Sequence, residues 1–314
     1  MAIVALYDRL FDLVDRNAQA EKIATGYRFT EGPVWDHRNK TLYFGDIPGN
    51  AQHRWTAAGG AKPWRVPSNQ GNGTTIDAQG RLITCHHDRY VTRTNLADDS
   101  VEVIAKEYKG GKLNSPNDVI VARNGDVIFT DPTFGLRQPD GTVLPQETPC
   151  PGIYRLAPDG TMTLLVEDFV APNGLVLSND GKRLYIDDTR ERHVRVFDVA
   201  DDGSLSNSRV FCEIKHEAKE SAPDGMKMDS LGNLYVTSNR ADGIWVFDRD
   251  GTLLGFIGVG DEPMMMGAAE QRANVGGGPA NCAWGDDDWQ TLYITAVTSI
   301  YRIRMKVAGQ PVGV

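Results

Sequence analysis

The chain has 314 residues, of which 40% are hydrophobic and 24% are charged, proportions that are ordinary for a soluble globular protein. Its formal net charge is −9, and it lacks the Lys and Arg clusters that bind phosphate groups, so nucleic acid and anionic membranes are not expected as partners. The 33 glycines favour a fold with many tight turns over a helical one.

The first twenty residues carry the one clear helical pattern. The apolar residues recur at spacings of three and four: Ile3, Leu6, Tyr7, Leu10, Phe11 and Val14. This spacing predicts an amphipathic helix over residues 3–14 within an N-terminal unit, residues 1–20, with packing as its expected role. Asp8 interrupts the apolar start, and no basic region or small-residue cleavage site is present, so no signal peptide is expected. No apolar run is long enough to span a bilayer, and a cytoplasmic location is the resulting expectation.

From residue 21 onward, one phrase recurs six times: an apolar stretch, a polar turn rich in Asp, Asn and Gly, and a short strand. The copies lie 41 to 57 residues apart, at 34–46, 75–85, 120–131, 175–188, 226–238 and 283–296. Each phrase predicts a β-hairpin, and strand-like pieces between the phrases supply two further strands. The repeat therefore predicts an all-β fold, a six-bladed β-propeller with four-stranded blades that forms a single catalytic domain over residues 21–314. Residues 22–29 are expected to close the ring as the outer strand of the last blade.

Aligning the six phrases places a carboxylate or a carboxamide at the same offset in each: Glu31, Asn72, Asn117, Asn173, Asp224 and Asn281. If each phrase begins an innermost strand, these six residues form a ring at one end of the central channel. Carboxylate and amide oxygens are the ligands that calcium prefers, whereas zinc is less favoured because no His or Cys occupies the ring. The alternative is that Asn, Asp and Gly simply mark turns at strand starts.

Several separated segments resemble the senescence-marker-protein and gluconolactonase family, from about residue 21 to residue 305. They are TEGPVWD (30–36), 113–136, 171–189, PDGMKMDSLGNLYVTS (223–238) and the gluconolactonase-like 280–304. The resemblance implies a six-bladed propeller that binds one divalent metal through Glu31, Asn117, Asn173 and Asp224. It also suggests Asp224 as the catalytic general base. Calcium is the favoured ion, with zinc, manganese and magnesium as alternatives.

The substrate contacts are less well defined by the sequence. Animal members of the family carry an Arg two residues before the Asn of the N-D motif, where this chain has Ser115. Lys112, His86 and His87 are possible replacements, although the segment around the histidines could equally be a solvated turn. Asn72 and Asn281 are expected to contact substrate or to orient the ligands, and Asp118 and Asp131 are the next candidates for orienting the ligands. The predicted substrate-binding set is Asn72, His87, Lys112, Asn117 and Asn281.

The function expected from these features is hydrolysis of a sugar lactone, glucono-δ-lactone or a related aldonolactone, by metal-activated water. No G-x-S-x-G motif points to a serine nucleophile. The alternatives are a phosphotriesterase of the diisopropyl fluorophosphatase type and a non-catalytic ligand-binding propeller. A monomer or small homo-oligomer is expected.

Two further features carry weaker expectations. The Met- and Gly-rich segment 258–280 is a flexible lid or merely a long loop. The scattered Cys85, Cys150, Cys212 and Cys282 lack zinc-site spacing and are expected to be reduced and mostly buried.

Overall fold

The computed structural model describes residues 3–138, 140–215, 221–239, 243–259 and 278–313. Nearly all of the regular structure is β, in six antiparallel sheets that form the predicted six-bladed propeller. The first blade consists of β3 (Thr30–Asp36), β4 (Thr41–Asp46), β5 (Ala51–Thr56) and β6 (Gly60–Arg65). The second consists of β7 (Gly71–Ile76), β8 (Arg81–His86), β9 (Tyr90–Asn95) and β10 (Val101–Ala105). The third consists of β13 (Val119–Val121), β14 (Val127–Asp131), β15 (Gly152–Leu156) and β16 (Met162–Val166). A small hairpin of β11 (Glu107–Tyr108) and β12 (Gly111–Lys112) lies between the second and third blades.

The other three blades follow the same order along the chain. They consist of β17 (Pro172–Leu177), β18 (Arg183–Asp188), β19 (His193–Val199) and β20 (Leu205–Glu213); β21 (Pro223–Met228), β22 (Leu234–Ser238), β23 (Gly243–Phe247) and β24 (Leu253–Gly258); and β25 (Asn281–Gly285), β26 (Thr291–Ala296) and β27 (Ser299–Arg304) with β2 (Glu21–Thr25). The first strand of every blade except the third is almost wholly buried because it lies against the neighbouring blades and the channel; in β13 only Val119 is buried.

The polar turns of the repeated phrase join the first two strands of each blade. In the third blade, the N–H of Gly125 donates to the carbonyl of Ala122, and Gly125 has a φ of 89°. Glycine adopts this left-handed conformation without the steric penalty of a Cβ. The turn chemistry read from the sequence thus accounts for the hairpins.

The ring closes as predicted. Strand β2 pairs antiparallel with β27, so a strand from near the N-terminus completes a blade built from the C-terminal part of the propeller. Between this blade and the first, the ring of Trp35 stacks on Tyr293 with centroids 5.3 Å apart. Closure packs the sixth blade against the first, and β2 covers the edge of β27 that could otherwise pair with another chain.

The predicted helix over residues 3–14 is wrong in its extent. Ile3–Ala5 form strand β1, which pairs with β24 on the outside of the fifth blade, and helix α1 covers only Leu10–Leu13. The outer edge of β24 offers unpaired backbone groups, and pairing with them outweighs a helical turn. Leu10 and Leu13 are buried against the fifth and sixth blades, as packing requires, whereas Tyr7 is half exposed.

Among the described residues, no helix is long and apolar enough to cross a membrane. All four cysteines are free; three are buried and Cys150 is partly buried, as expected from their spacing. Most of segment 258–280, which the sequence predicts to be a lid or a long loop, lies outside the described residues. The structure describes only Gly258, Val259 and 278–280 of it.

Candidate active site

One mouth of the propeller holds a cavity of about 600 Å³. Five of the six ring residues predicted from the repeat line it, each at or just before the start of an innermost strand. The full lining is Phe29, Glu31, Ile47, Asn72, His87, Asn117, Phe134, Asn173, Thr189, Arg190, Arg192, Ser221, Ala222, Asp224 and Asn239.

Glycines hold the ring together. In four blades the ring residue is followed by a glycine, and a Cβ on that glycine would overlap the next ring residue: Gly32 meets Asn72, Gly73 meets Asn117, Gly174 meets Asp224, and Gly225 meets Asn281. The same four blades show a register irregularity at this point, between the first and second strands. The repeated glycine therefore brings adjacent inner strands close enough for the polar side chains to converge.

Asp224 and Asn173 are joined directly. Asn173 donates from Nδ2 to Asp224 Oδ1 at 2.8 Å and to Thr189 Oγ1 at 3.1 Å, and Thr189 in turn donates to the Pro223 carbonyl at 2.8 Å. Because Nδ2 is used in both bonds, the Oδ1 atom of Asn173 remains available as an acceptor. Asn239 donates from Nδ2 to the second oxygen of Asp224 at 2.8 Å. Both carboxylate oxygens of Asp224 are thus held in place by amides.

Asn72 presents its oxygen in a similar way. Its Nδ2 lies 2.8 Å from Nε2 of His87, and its buried Oδ1 has no hydrogen-bond partner among the described residues. Burial lowers the pKa of His87 to about 4, so the ring is neutral and accepts from the amide. The side chain of Asn117 is also almost fully buried and lines the same cavity. An unpartnered buried oxygen such as Asn72 Oδ1 is costly unless a ligand satisfies it.

The two ring carboxyl groups are both almost fully buried. Burial raises the pKa of Glu31 well above its usual value, and the carboxylate of Asp224 raises it further. Burial also raises the pKa of Asp224 to about 7, against the opposing hydrogen bonds from Asn239 and Asn173. Two acids that share a dry site resist double ionisation, and a bound cation relieves that cost.

This donor set fits a hard divalent cation. Glu31 and Asp224 offer two carboxylates, and Asn117 and Asn173 offer amide oxygens, that of Asn173 being left as an acceptor by the two bonds of its Nδ2. The described residues contain no group of three or more His, Cys, Asp or Glu placed to hold a metal, so any cation here would depend on the amide oxygens as well.

Other residues singled out in the sequence lie outside this cavity. Lys112 is exposed on β12, where its N–H donates to Glu147, and it does not line the cavity because the hairpin carries it to the outside. His86 is buried in the second blade, with Nδ1 bonded to the Ser68 carbonyl and Nε2 to Thr92. The side chains of strand residues alternate between the two faces, so His86 and His87 have different surroundings.

Asn281, Ser115 and Asp131 are also set back from the cavity. Asn281 is buried beside the carboxyls of Glu31 and Asp118 and lowers the pKa of both. Ser115 is turned toward the loop after β14, where its hydroxyl bonds to Pro132 and Gly135. Asp131 accepts the N–H groups of Asn114 and Ser115 and so fixes the loop that precedes Asn117. No sugar clamp arises from the Ser115 position.

Several lining residues were missed by the sequence reasoning. Four positions share a signal that the repeat contains, since each immediately follows the second strand of its blade: Ile47, His87, Thr189 and Asn239. Of these, His87 alone was selected from the sequence. Phe29, Phe134, Arg190, Arg192 and Ser221 come from connecting segments, which have no constant offset.

Comparisons with known proteins agree with this architecture. Residues 29–298 match the family described as SMP-30/Gluconolactonase/LRE-like region. The chain is 30% identical to the gluconolactonase of Zymomonas mobilis, over 96% of this chain and 85% of that protein. It is 28% identical to the pentonolactonase XacC of Haloferax volcanii, over 87% of this chain and 83% of that protein.

Solved structures give the same result. XC5397 from Xanthomonas campestris, described as a gluconolactonase, has a TM-score of 0.84 at 31% identity and covers 97% of this chain and 95% of its own. A calcium-binding protein, regucalcin, from Agrobacterium tumefaciens shares the fold with a TM-score of 0.74 at 17% identity, over 95% of this chain and 98% of its own.

Proposed function

The chain belongs to the SMP-30/gluconolactonase/LRE-like family, and from that premise we propose that it uses a divalent metal ion to hydrolyse an aldonolactone. That it is a lactonase follows from its similarity to a gluconolactonase and a pentonolactonase over most of its length. The substrate class and the metal are the proposed parts. A cytoplasmic location and a monomeric or small oligomeric state stay predictions from the sequence.

The observation that carries the proposal is the pairing of two buried carboxyl groups with amide oxygens in one cavity. Glu31 and Asp224 would hold the cation together with Asn117 and Asn173. A divalent ion bound there would polarise the lactone carbonyl and make a bound water more acidic. Calcium suits an all-oxygen set best, and manganese and magnesium accept the same ligand types.

The protein side chains supply orientation and proton transfer. Asp224 accepts from Asn173 and Asn239, one on each oxygen, and a carboxylate has further lone pairs with which to take a proton from water. Hydroxide adds to the lactone carbonyl carbon, the bond to the ring oxygen breaks, and the proton passes to that alkoxide. The product is the open hydroxy acid. Asn72 Oδ1 is available to accept from a substrate hydroxyl.

The walls of the cavity also suit a sugar-sized lactone. Phe29, Ile47 and Phe134 provide half-buried apolar surface that can face the C–H side of a sugar ring, whereas Asn72, His87 and Asn239 can meet hydroxyl groups. The volume of about 600 Å³ accommodates a monosaccharide lactone with water. Asn281 forms a side-chain hydrogen bond with the Glu31 carboxyl group and does not line the cavity.

The direct test is a proton-release assay on D-glucono-δ-lactone, with D-xylono-γ-lactone and an aryl phosphotriester in parallel. We expect hydrolysis of a lactone that chelator treatment abolishes and that added calcium, manganese or zinc restores. Full lactonase activity in exhaustively demetallated protein would show that hydrolysis does not need a metal ion. Faster turnover of the phosphotriester than of every lactone would show that lactones are not the preferred substrates.

A further inference from the structure

Two arginines lie on the rim of the cavity, in the turn between β18 and β19 of the fourth blade. Arg190 and Arg192 both line the cavity and both are solvent-exposed. Neither forms an ion pair with a carboxylate of the described residues, whereas Arg155 and Arg195 of the same region are paired with Asp126 and Asp168. An unpaired guanidinium beside a substrate cavity is available to bind an anion.

The turn that carries these arginines is firmly built. Asp188 is buried, and its Oδ1 accepts the N–H groups of Arg190 and Glu191 while its Oδ2 accepts those of Val170 and Ala171. Its carboxylate is therefore committed to four backbone donors. Arg192 adopts a φ of 58°, donates its N–H to the Asp188 carbonyl and accepts from Ile214. These hydrogen bonds hold the turn in one conformation and so fix where both arginines leave the backbone.

The charge balance of the site points in the same direction. The molecule as a whole carries a formal charge of −9, which opposes the approach of an anionic substrate. A divalent cation would offset the carboxylates of Glu31 and Asp224, and the charges of Arg190 and Arg192 would then face the cavity without a further acid in the lining; Glu191, between them in the turn, does not line the cavity. A carboxylate or a phosphate on the substrate can form an ion-paired, bidentate set of hydrogen bonds with a guanidinium group, which a neutral hydroxyl cannot.

We propose that Arg190 and Arg192 bind an anionic substituent of the substrate, a carboxylate or a phosphate group, so that the preferred substrates are anionic sugar lactones. The inference rests on the lactonase activity proposed above and narrows its substrate class. The lactone carbonyl lies at the ring of Glu31 and Asp224, and the anionic group extends toward the fourth-blade turn. Ser115 does not line the cavity, so these two arginines are the lining residues that can bind an anion.

The test uses two matched pairs of substrates that differ in charge. D-Glucaro-γ-lactone is compared with D-glucono-γ-lactone, and 6-phospho-D-glucono-δ-lactone with D-glucono-δ-lactone. We expect kcat/KM for at least one anionic member to exceed that of its neutral partner by about tenfold or more, since charge-assisted hydrogen bonds have that strength. The pair that shows the preference identifies the group as a carboxylate or a phosphate. No preference in either pair overturns the proposal.

Arginine variants then test whether the preference for anionic lactones comes from the turn that carries Arg190 and Arg192. In the double variant Arg190→Gln and Arg192→Gln, the ratio of anionic to neutral kcat/KM should fall at least about tenfold, through KM for the anionic member. Arg183→Gln removes an equal charge at the opposite end of β18 and should leave the ratio unchanged. If the double variant does not fold, each single variant is measured, and the wild-type preference should decline with added salt. A preference that persists in folded variants overturns the proposal.

These outcomes separate the two proposals. Hydrolysis of neutral and anionic lactones at equal rates would leave the lactonase intact and remove only the role of the arginines. Absence of hydrolysis for all four lactones, with every divalent metal supplied, would instead count against the proposed function itself.

Discussion

Asn173 Nδ2 donates to Asp224 Oδ1 at 2.8 Å, which links the fourth and fifth blades at the point where the cavity begins. The amide nitrogen can only donate, and an oxygen of Asp224 accepts from it whether or not the carboxyl group is protonated. The bond therefore fixes which end of the Asn173 amide faces the cavity. Thr189 reinforces the choice by accepting from the same nitrogen while donating to Pro223. The amide oxygen is thus set as a potential metal ligand before any ion binds.

Removing the hydroxyl of Thr189 should weaken metal binding without altering a ligand. In Thr189→Val the amide of Asn173 loses one of its two acceptors, and we expect the metal affinity to fall roughly tenfold to hundredfold, the usual effect of losing a residue that orients a ligand. The dissociation constant can be measured by competition with a chromogenic chelator. Thr189→Ser keeps the hydroxyl and should retain near wild-type affinity. Equal affinities in the Val and Ser variants would contradict the positioning role.

Glu31→Gln should have opposite effects on the metal-free and metal-bound forms. The substitution removes one of two mutually repelling buried carboxyls, so the metal-free protein should unfold at a higher temperature than the wild type at neutral pH. It also removes a charged ligand, so the rise in Tm on adding calcium should largely disappear. Glu107→Gln, an exposed residue on β11, is the control for the change in net charge. An undiminished calcium-dependent rise would mean that Glu31 does not hold the ion.

Asp224→Asn tests the proposed base and has a defined pH signature. Its folded pKa of about 7 lies above the ordinary 3.8, so the protonated form is favoured in the metal-free fold and its stabilisation is lost as pH rises from about 4 to 7. The stability of metal-free Asp224→Asn relative to wild type should therefore increase over that range. Turnover should fall at least about a hundredfold, as for loss of a general base. Normal lactonase activity would exclude the catalytic role.

The repeat determines how much of this site can be predicted from the sequence. The common offset in six phrases predicts a ring of six residues, and five of them line the cavity because each blade places equivalent residues at equivalent heights in the channel. The choice of Glu31, Asn117, Asn173 and Asp224 as metal ligands comes from the family resemblance and stays a prediction. The logic of the common offset fails for residues set by a turn. Lys112 was chosen by proximity in sequence to Asn117, but the hairpin of β11 and β12 carries it outward.

The N-terminal segment shows a different limit. Spacings of three and four between apolar residues are compatible with a helix, yet Ile3–Ala5 pair with the edge of β24. Edge pairing is a long-range event that local periodicity does not report. Similarly, Arg190 and Arg192 reach the cavity because Asp188 organises the turn, and nothing in the phrase itself distinguishes them from other surface arginines.

His86, chosen from the sequence as a possible substrate contact, should instead govern acid stability. Burial lowers its pKa to about 4, whereas the unfolded chain has an ordinary value near 6.5. A depressed pKa stabilises the fold above the unfolded value, and that stability is lost as pH falls from about 6.5 to 4, by up to roughly 3 kcal/mol for this one group. His86→Gln can still donate toward the Ser68 carbonyl and accept from Thr92, but it does not titrate. Urea unfolding of the two proteins between pH 4 and 7 should give a shallower pH dependence for the variant. Parallel curves would place the acid sensitivity elsewhere, and a loss of lactonase activity out of proportion to stability would restore His86 to the active site.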